Sequence, residues 1–85
     1  MLTKYFHKRL LNEAGQIISR GGCTTAYILD DSNVVVGYAQ AHCHKHDNFS
    51  KQQGRVKAEG RLKSPRYFQQ VEMPEQTFLE LIAGK

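Results

Sequence analysis

With 85 residues the chain has enough length for one domain, near the lower limit at which a single core holds without disulfides, metal or oligomerisation. Its hydrophobic fraction of 40% lies a little below the usual globular range, and no apolar run approaches the roughly 20 residues that span a bilayer, so no helical membrane span is expected. The net charge of +4 is concentrated: Lys51–Arg66 (KQQGRVKAEGRLKSPR) carries six basic residues against Glu59 alone, leaving −1 for the rest of the chain.

The first residues, MLTKYFHKRLL, mix charge and aromatics without a continuous apolar stretch or a small-residue cleavage site, which is unlike a secretory signal; a cytoplasmic location is expected. Residues 2–12 read as a first strand, Glu13-Ala14-Gly15 as a turn, and Gln16–Ser19 as a returning strand. Gly21-Gly22 breaks the chain, and Cys23–Leu29 (CTTAYIL) has the Thr, Tyr and Ile content that suits a half-buried pleated surface. Asp30-Asp31-Ser32-Asn33 is a polar turn, and the β-branched run in Val34–Ala41 (VVVGYAQA) is the strongest strand signal of the chain. Asp47 or Asn48 is placed to cap a helix over Phe49–Lys63, which Ser64-Pro65 ends because the residue before a proline is pushed out of helical geometry. Tyr67–Met73 follows as a strand, and Pro74 fits the first turn of a short helix, Glu75–Ile82, that stops at Gly84.

This order, β-β-β-β-α-β-α, predicts an α+β fold: one domain over residues 1–85 with a small antiparallel sheet of four to five strands, one basic central helix and a short C-terminal helix. There is no linker, repeat or low-complexity segment. If 22–30 and 33–42 pair around Asp31-Ser32, Cys23 stands opposite Gln40 and Cys43 falls beyond the end, so both thiols are expected free.

On the predicted basic helix, Phe49, Val56 and Gly60 share a side with Gln53, while Gly54, Ala58 and Leu62 fall near the opposite side. Two interior glycines cost about 1 kcal/mol each relative to alanine, which implies a neighbour close to the backbone: a sheet, a second subunit or a phosphate. Lys51, Arg55, Glu59 and Lys63 form one i, i+4 series and Lys57 and Arg61 another, so cations flank the small-residue face. In a functional reading Arg55 and Arg61, with Lys51 and Lys57, contact phosphates, since arginine bonds phosphate through two N–H groups and lysine supplies a point charge. First-turn N–H groups near Asn48–Lys51 would add donors to the same anion. Lys63, Arg66 and His44 complete this candidate ligand-binding set. The bland alternative is a solvated face on a helix packed by Phe49 and Val56. No signature for base-specific readout is present.

His42, His44 and His46 alternate, with Cys43, Lys45 and Asp47 between them. Imidazoles at this spacing bind transition metals only if they converge, whereas alternate strand positions run parallel, so no metal or other cofactor is expected. The plainest reading is a solvated strand-to-helix connection; a phosphate-facing or interface role is the next. Adjacent strand residues point to opposite faces, so Cys43 and its histidine neighbours do not make a nucleophile and base. The chain does not read as an enzyme.

The segment AHCHKHDNFSKQQGRVKAEGRL resembles a pattern of small bacteriophage accessory proteins, in which a hydrophobic strand runs into a cysteine and a helix start carrying Asp47, Phe49, Lys51, Gly54, Arg55, Ala58, Gly60, Arg61 and Leu62. The whole chain is also similar to early-region products of T7-like phages. The resemblance covers about a quarter of the chain and implies host takeover or defence evasion in the host cytoplasm, through a host protein or nucleotide signals. It carries over no catalytic residue. The expected function is non-enzymatic binding of a phosphate-bearing ligand, nucleic acid or nucleotide, through the basic helix. The alternative is a protein inhibitor docking the same surface on an acidic patch of a host defence or replication enzyme. No membrane partner is expected, and so short a chain is compatible with a homo-oligomer.

Overall fold

Thr, Tyr, Ile and Val side chains dominate the central segments, and in the computed structural model, which describes residues 1–84, these segments are the inner strands of a four-stranded antiparallel sheet. Strands β1 (Leu2–Lys8), β2 (Arg20–Leu29), β3 (Val34–Asn48) and β4 (Gln69–Pro74) lie side by side in chain order. Helix α1 (Lys51–Leu62) joins β3 to β4, and α2 (Glu75–Ile82) follows β4 directly. The fold is α+β. Among the described residues no helix is long and apolar enough to cross a membrane.

Three local expectations change. Gln16–Ser19 is not a strand; it pairs with residues 10–12 at one bridge, Leu11 to Ile17, and β1 ends at Lys8. Gly21 and Gly22 lie inside β2 at a register shift rather than before it. β3 does not stop at Ala41 but runs through the histidines to Asn48.

The β2–β3 register also differs, by two residues, and the turn explains it. Asp30 N–H donates to Val34 O at 3.0 Å, so the loop has three residues and ends in left-handed Asn33 at φ 60°. The Asp30 carboxylate accepts from Ser32 N–H and Val34 N–H, holding that geometry. A bulge then inserts one more residue into β3 between Val35 and Gly37. Cys23 consequently stands opposite His42, and Cys43 opposite Gly22. Both cysteines are free. Successive positions on paired strands aim these two side chains at opposite faces.

The helices cover opposite faces of the sheet. Ala26 and Tyr27 are consecutive on β2: Ala26 packs with Ala41 and Ala58 of α1, while Tyr27 packs with Leu29, Val35 and Phe78 of α2. Alanines on one face allow α1 to approach closely; aromatic rings on the other face fill the wider space under α2, where Phe78 lies 5.1 Å from both Tyr27 and Tyr38 between ring centroids. The Glu75 carboxylate anchors the start of α2, accepting from Tyr27 Oη at 2.9 Å and Lys4 Nζ at 3.2 Å. β4 pairs with β3 only between Val34 and Tyr38, so the outer edge of β3 beyond that point has no strand beside it.

Candidate phosphate-binding surface

Helix α1 starts at Ser50, whose extended backbone and hydroxyl cap the first turn; Gln53 N–H donates to Ser50 Oγ at 3.3 Å. Asp47 and Asn48 are not the cap, because β3 continues through both and Phe49 N–H is held by Ser19 O at 2.7 Å. The first residue free of the sheet is Ser50. At the other end Lys63 N–H donates to Gly60 O at 3.2 Å, and Pro65 lies just beyond.

The helix packs by Gly54, Ala58 and Leu62, not by Val56, which is 67% exposed. Gly54 meets Thr24 so closely that a Cβ would collide with the threonine hydroxyl, whereas nothing lies near Gly60. The close neighbour implied by the glycines is therefore the sheet itself, at Gly54 alone.

Packing along this small-residue strip divides the cations between two flanks. Lys51 and Arg55 lie on the β1 side with Glu59, whose carboxylate accepts from Tyr5 Oη at 2.9 Å. Burial, that hydrogen bond and the Glu59 charge raise the Tyr5 pKa against the opposing effect of Arg55. His7 lies beneath the same flank. Burial, then Lys51, Arg55 and Arg9, disfavour its charged form and lower its pKa. On the β3 side stand Lys57 and Arg61. Arg61 Nη1 donates to Gln40 O at 2.9 Å, capping the β3 edge where β4 has ended, and its guanidinium lies 4.7 Å from the Tyr67 ring centroid. Arg66 reaches the same ring at 5.9 Å. Arg61 therefore has a structural task that its sequence context does not disclose. None of the six cations between Lys51 and Arg66 forms an ion pair among the described residues, and all but Arg61 are exposed.

A cleft of about 290 Å3 lies along this surface. β3 contributes His42, His44, Asp47 and Asn48; the start of α1 contributes Ser50, Gln53 and Lys57; Thr24 and Ala41 lie at its sheet side. It exists because β3 bulges. Only Gly21 of β2 separates the pairs Gly22–Cys43 and Arg20–Asn48, so His44–Asp47 arch away from the ladder. Inside the arch the Cys43 thiol lies 3.4 Å from Asp47 O and 3.6 Å from both His44 O and Asn48 O, carbonyl oxygens that share its single S–H as acceptors. Burial pushes the Cys23 thiol up, away from a reactive thiolate. His46 N–H donates to His44 Nδ1 at 3.2 Å, and the two rings lie 5.2 Å apart. No group of three or more His, Cys, Asp or Glu side chains among the described residues is arranged to hold a metal ion.

Of the candidate ligand-binding residues, the structure thus brings Lys57 and His44 together at one cleft. It sets Lys51 and Arg55 on the opposite flank, and Arg61, Lys63 and Arg66 at the far end of α1 and beyond it. Sequence reasoning placed the Asn48–Lys51 backbone at the anion but did not identify the Asp47, Asn48, Ser50 and Gln53 side chains as cleft residues. The Ser-x-x-Gln spacing of Ser50 and Gln53 was an available signal for the cap. No protein-family model, no curated protein and no solved structure matches the chain.

Proposed function

We propose that this chain is a non-enzymatic accessory protein of the phage type that binds a phosphate-bearing ligand, nucleic acid or nucleotide, through the basic surface of α1. The observation that carries this reading is the set of five exposed cations, Lys51, Arg55, Lys57, Lys63 and Arg66, without a carboxylate partner among the described residues. Of the eight acids, Glu59 lies on α1 but is engaged by Tyr5, and Asp47 lines the cleft beside α1 without an ion pair among the described residues, while Glu13, Asp30, Asp31, Glu72, Glu75 and Glu80 lie on other segments. Five unpaired cations on and just beyond one helix, against two acids nearby, favour an anion on that side.

The test is binding of a labelled single-stranded oligonucleotide as a function of salt, with Arg55→Gln and Lys57→Gln variants. Each lost phosphate contact lowers the dependence of log K on log salt by about 0.7 unit of slope for a single strand. Arg61 is unsuitable for this test, because replacing it also frees the Gln40 carbonyl. Affinity independent of salt, or no binding of oligonucleotide or nucleotide, overturns the reading.

A second reading, docking on an acidic host protein, is favoured by Val56, an aliphatic side chain exposed among cations on the outer side of α1. There Val56→Ser weakens binding to that partner; a phosphate ligand is indifferent to the change.

A further inference from the structure

Resting on that phosphate reading, we propose that the cleft between the β3 arch and α1 receives the terminal phosphate of a nucleotide, free or at a strand end, with Lys57 and His44 as its direct partners. Charge alone does not separate the two flanks of α1, since each carries two cations. The cleft does. Among the described residues Lys57 is the only lysine or arginine that lines it, and it makes no hydrogen bond or ion pair there. His44 supplies a second, oriented donor. Its Nδ1 accepts the His46 N–H, so the neutral ring carries its proton on Nε2, which has no partner among the described residues. An ammonium and an imidazole N–H at one concavity match the acceptor oxygens of a phosphate.

The helix N-terminus is not what makes this site. Gln53 N–H is taken by Ser50 Oγ and Gly54 N–H by Ser50 O, while Lys51 and Gln52 stand outside the lining. The remaining polar groups select more than a bare anion. Asp47 is a carboxylate in the same cleft, unfavourable beside phosphate oxygens but an acceptor for a sugar hydroxyl or a base amino group. Asn48 and Gln53 add donors and acceptors. Phe49 does not serve as an open stacking platform, because Arg9 lies 4.6 Å from its ring centroid and His7 meets it edge-on at 5.7 Å. A volume of about 290 Å3 suits one nucleotide unit and not a duplex. The cleft therefore reads the phosphate with Lys57 and His44, and the sugar or base by polar contacts.

Calorimetry tests this with adenosine 5′-monophosphate, adenosine and inorganic phosphate, and with one oligonucleotide carrying either a 5′-phosphate or a 5′-hydroxyl. The proteins are the wild type, Lys57→Gln, His44→Gln and the opposite-flank pair Lys51→Gln/Arg55→Gln, each first shown to melt as the wild type does. The expected result is saturable binding of the monophosphate or of the 5′-phosphorylated strand, weakened about tenfold or more by either cleft substitution. The opposite-flank pair lowers the salt dependence of strand binding but changes affinity for the monophosphate by no more than about twofold, and adenosine does not bind. Preference for the free nucleotide or for the strand end identifies the source of the phosphate. Binding that is lost in the opposite-flank pair but kept in Lys57→Gln and His44→Gln overturns the cleft while leaving the phosphate reading standing, as does equal affinity for the 5′-hydroxyl strand. No binding of any of these probes overturns both.

Discussion

Gly54 of α1 lies against Thr24 of β2 with no room for a side chain between them, and the Thr24 hydroxyl is itself hydrogen-bonded to His7 Nδ1 at 2.8 Å. This contact sets the height of α1 above the sheet, and with it the width of the cleft on one flank and the cover over His7 on the other. The two helical glycines should therefore respond oppositely to the same substitution. Gly60→Ala, with open space around it, raises stability by up to about 1 kcal/mol, or roughly 4 to 8 °C in Tm. Gly54→Ala lowers it by about 1–3 kcal/mol through overpacking against Thr24. Thermal melts of the two variants check the pair.

Arg61 differs from its basic neighbours because its guanidinium caps the Gln40 carbonyl and stacks on Tyr67. Arg61→Ala is expected to cost about 1–2 kcal/mol, since a buried-edge carbonyl loses a charged donor and a ring loses its cover. Lys63→Ala, at an exposed helix end, stays within about 0.5 kcal/mol. Urea denaturation of both variants distinguishes a structural arginine from a solvated lysine.

His7 gives the fold a sensitivity to mild acid. Burial and the nearby Lys51, Arg55 and Arg9 depress its folded-state pKa below the unfolded value of 6.5, so below that pH the unfolded chain takes up the proton more readily than the folded one. Stability contributed by neutral His7 is present above pH 6.5 and is lost as pH falls through the folded pKa. Replacing His7 by Gln should flatten this part of the stability profile. Lys51→Gln/Arg55→Gln should move the His7 pKa back toward 6.5, as followed by the pH dependence of its ring protons in NMR spectra.

At the other extreme, burial and the hydrogen bond to Glu75 push the Tyr27 pKa up to about 12. The unfolded phenol ionises near 10, so the associated stability is complete below that pH and declines as pH rises from about 10 toward 12. Glu75 behaves oppositely: Tyr27 and then Lys4 hold its carboxyl below the ordinary carboxylate range, and the linked stability is lost as pH falls through that lowered value. Glu75→Gln should lower the Tyr27 pKa, since one of the causes raising it is the Glu75 charge. A phenolate absorbance titration reads the shift.

Much of this architecture was legible because local signals agreed with the fold. The β-branched run at Val34, the turn residues Asp30–Asn33, Ser64-Pro65 and Pro74 bound the start of β3, α1 and α2 to within a few residues, although β3 extends to Asn48 rather than stopping at Ala41. The two-residue register difference was not legible, since it arises from a three-residue loop and a bulge that the composition of Val34–Ala41 does not reveal. Val56 looked like a packing residue, and the helical glycines left a sheet, a second subunit and a phosphate all open as the close neighbour. The alanine-lined sheet turns Val56 outward and decides the glycine question in favour of the sheet at Gly54: only a helix face as small as Gly54 and Ala58 fits against Thr24, Ala26 and Ala41. The cleft was hidden for a related reason, because the arch at His44–Asp47 depends on how far β2 extends to pair with Asn48.

The central claim, that the basic surface of α1 receives a phosphate-bearing ligand, is tested most directly by titrating isotope-labelled protein with adenosine 5′-monophosphate and then with a short 5′-phosphorylated single strand while following backbone amides by NMR. The account predicts saturable shifts over Ser50–Arg61 and over His42–Asn48, with α2 and the β2–β3 turn unmoved. Shifts confined to α2 or that turn, or a spectrum unchanged by both probes, would contradict it.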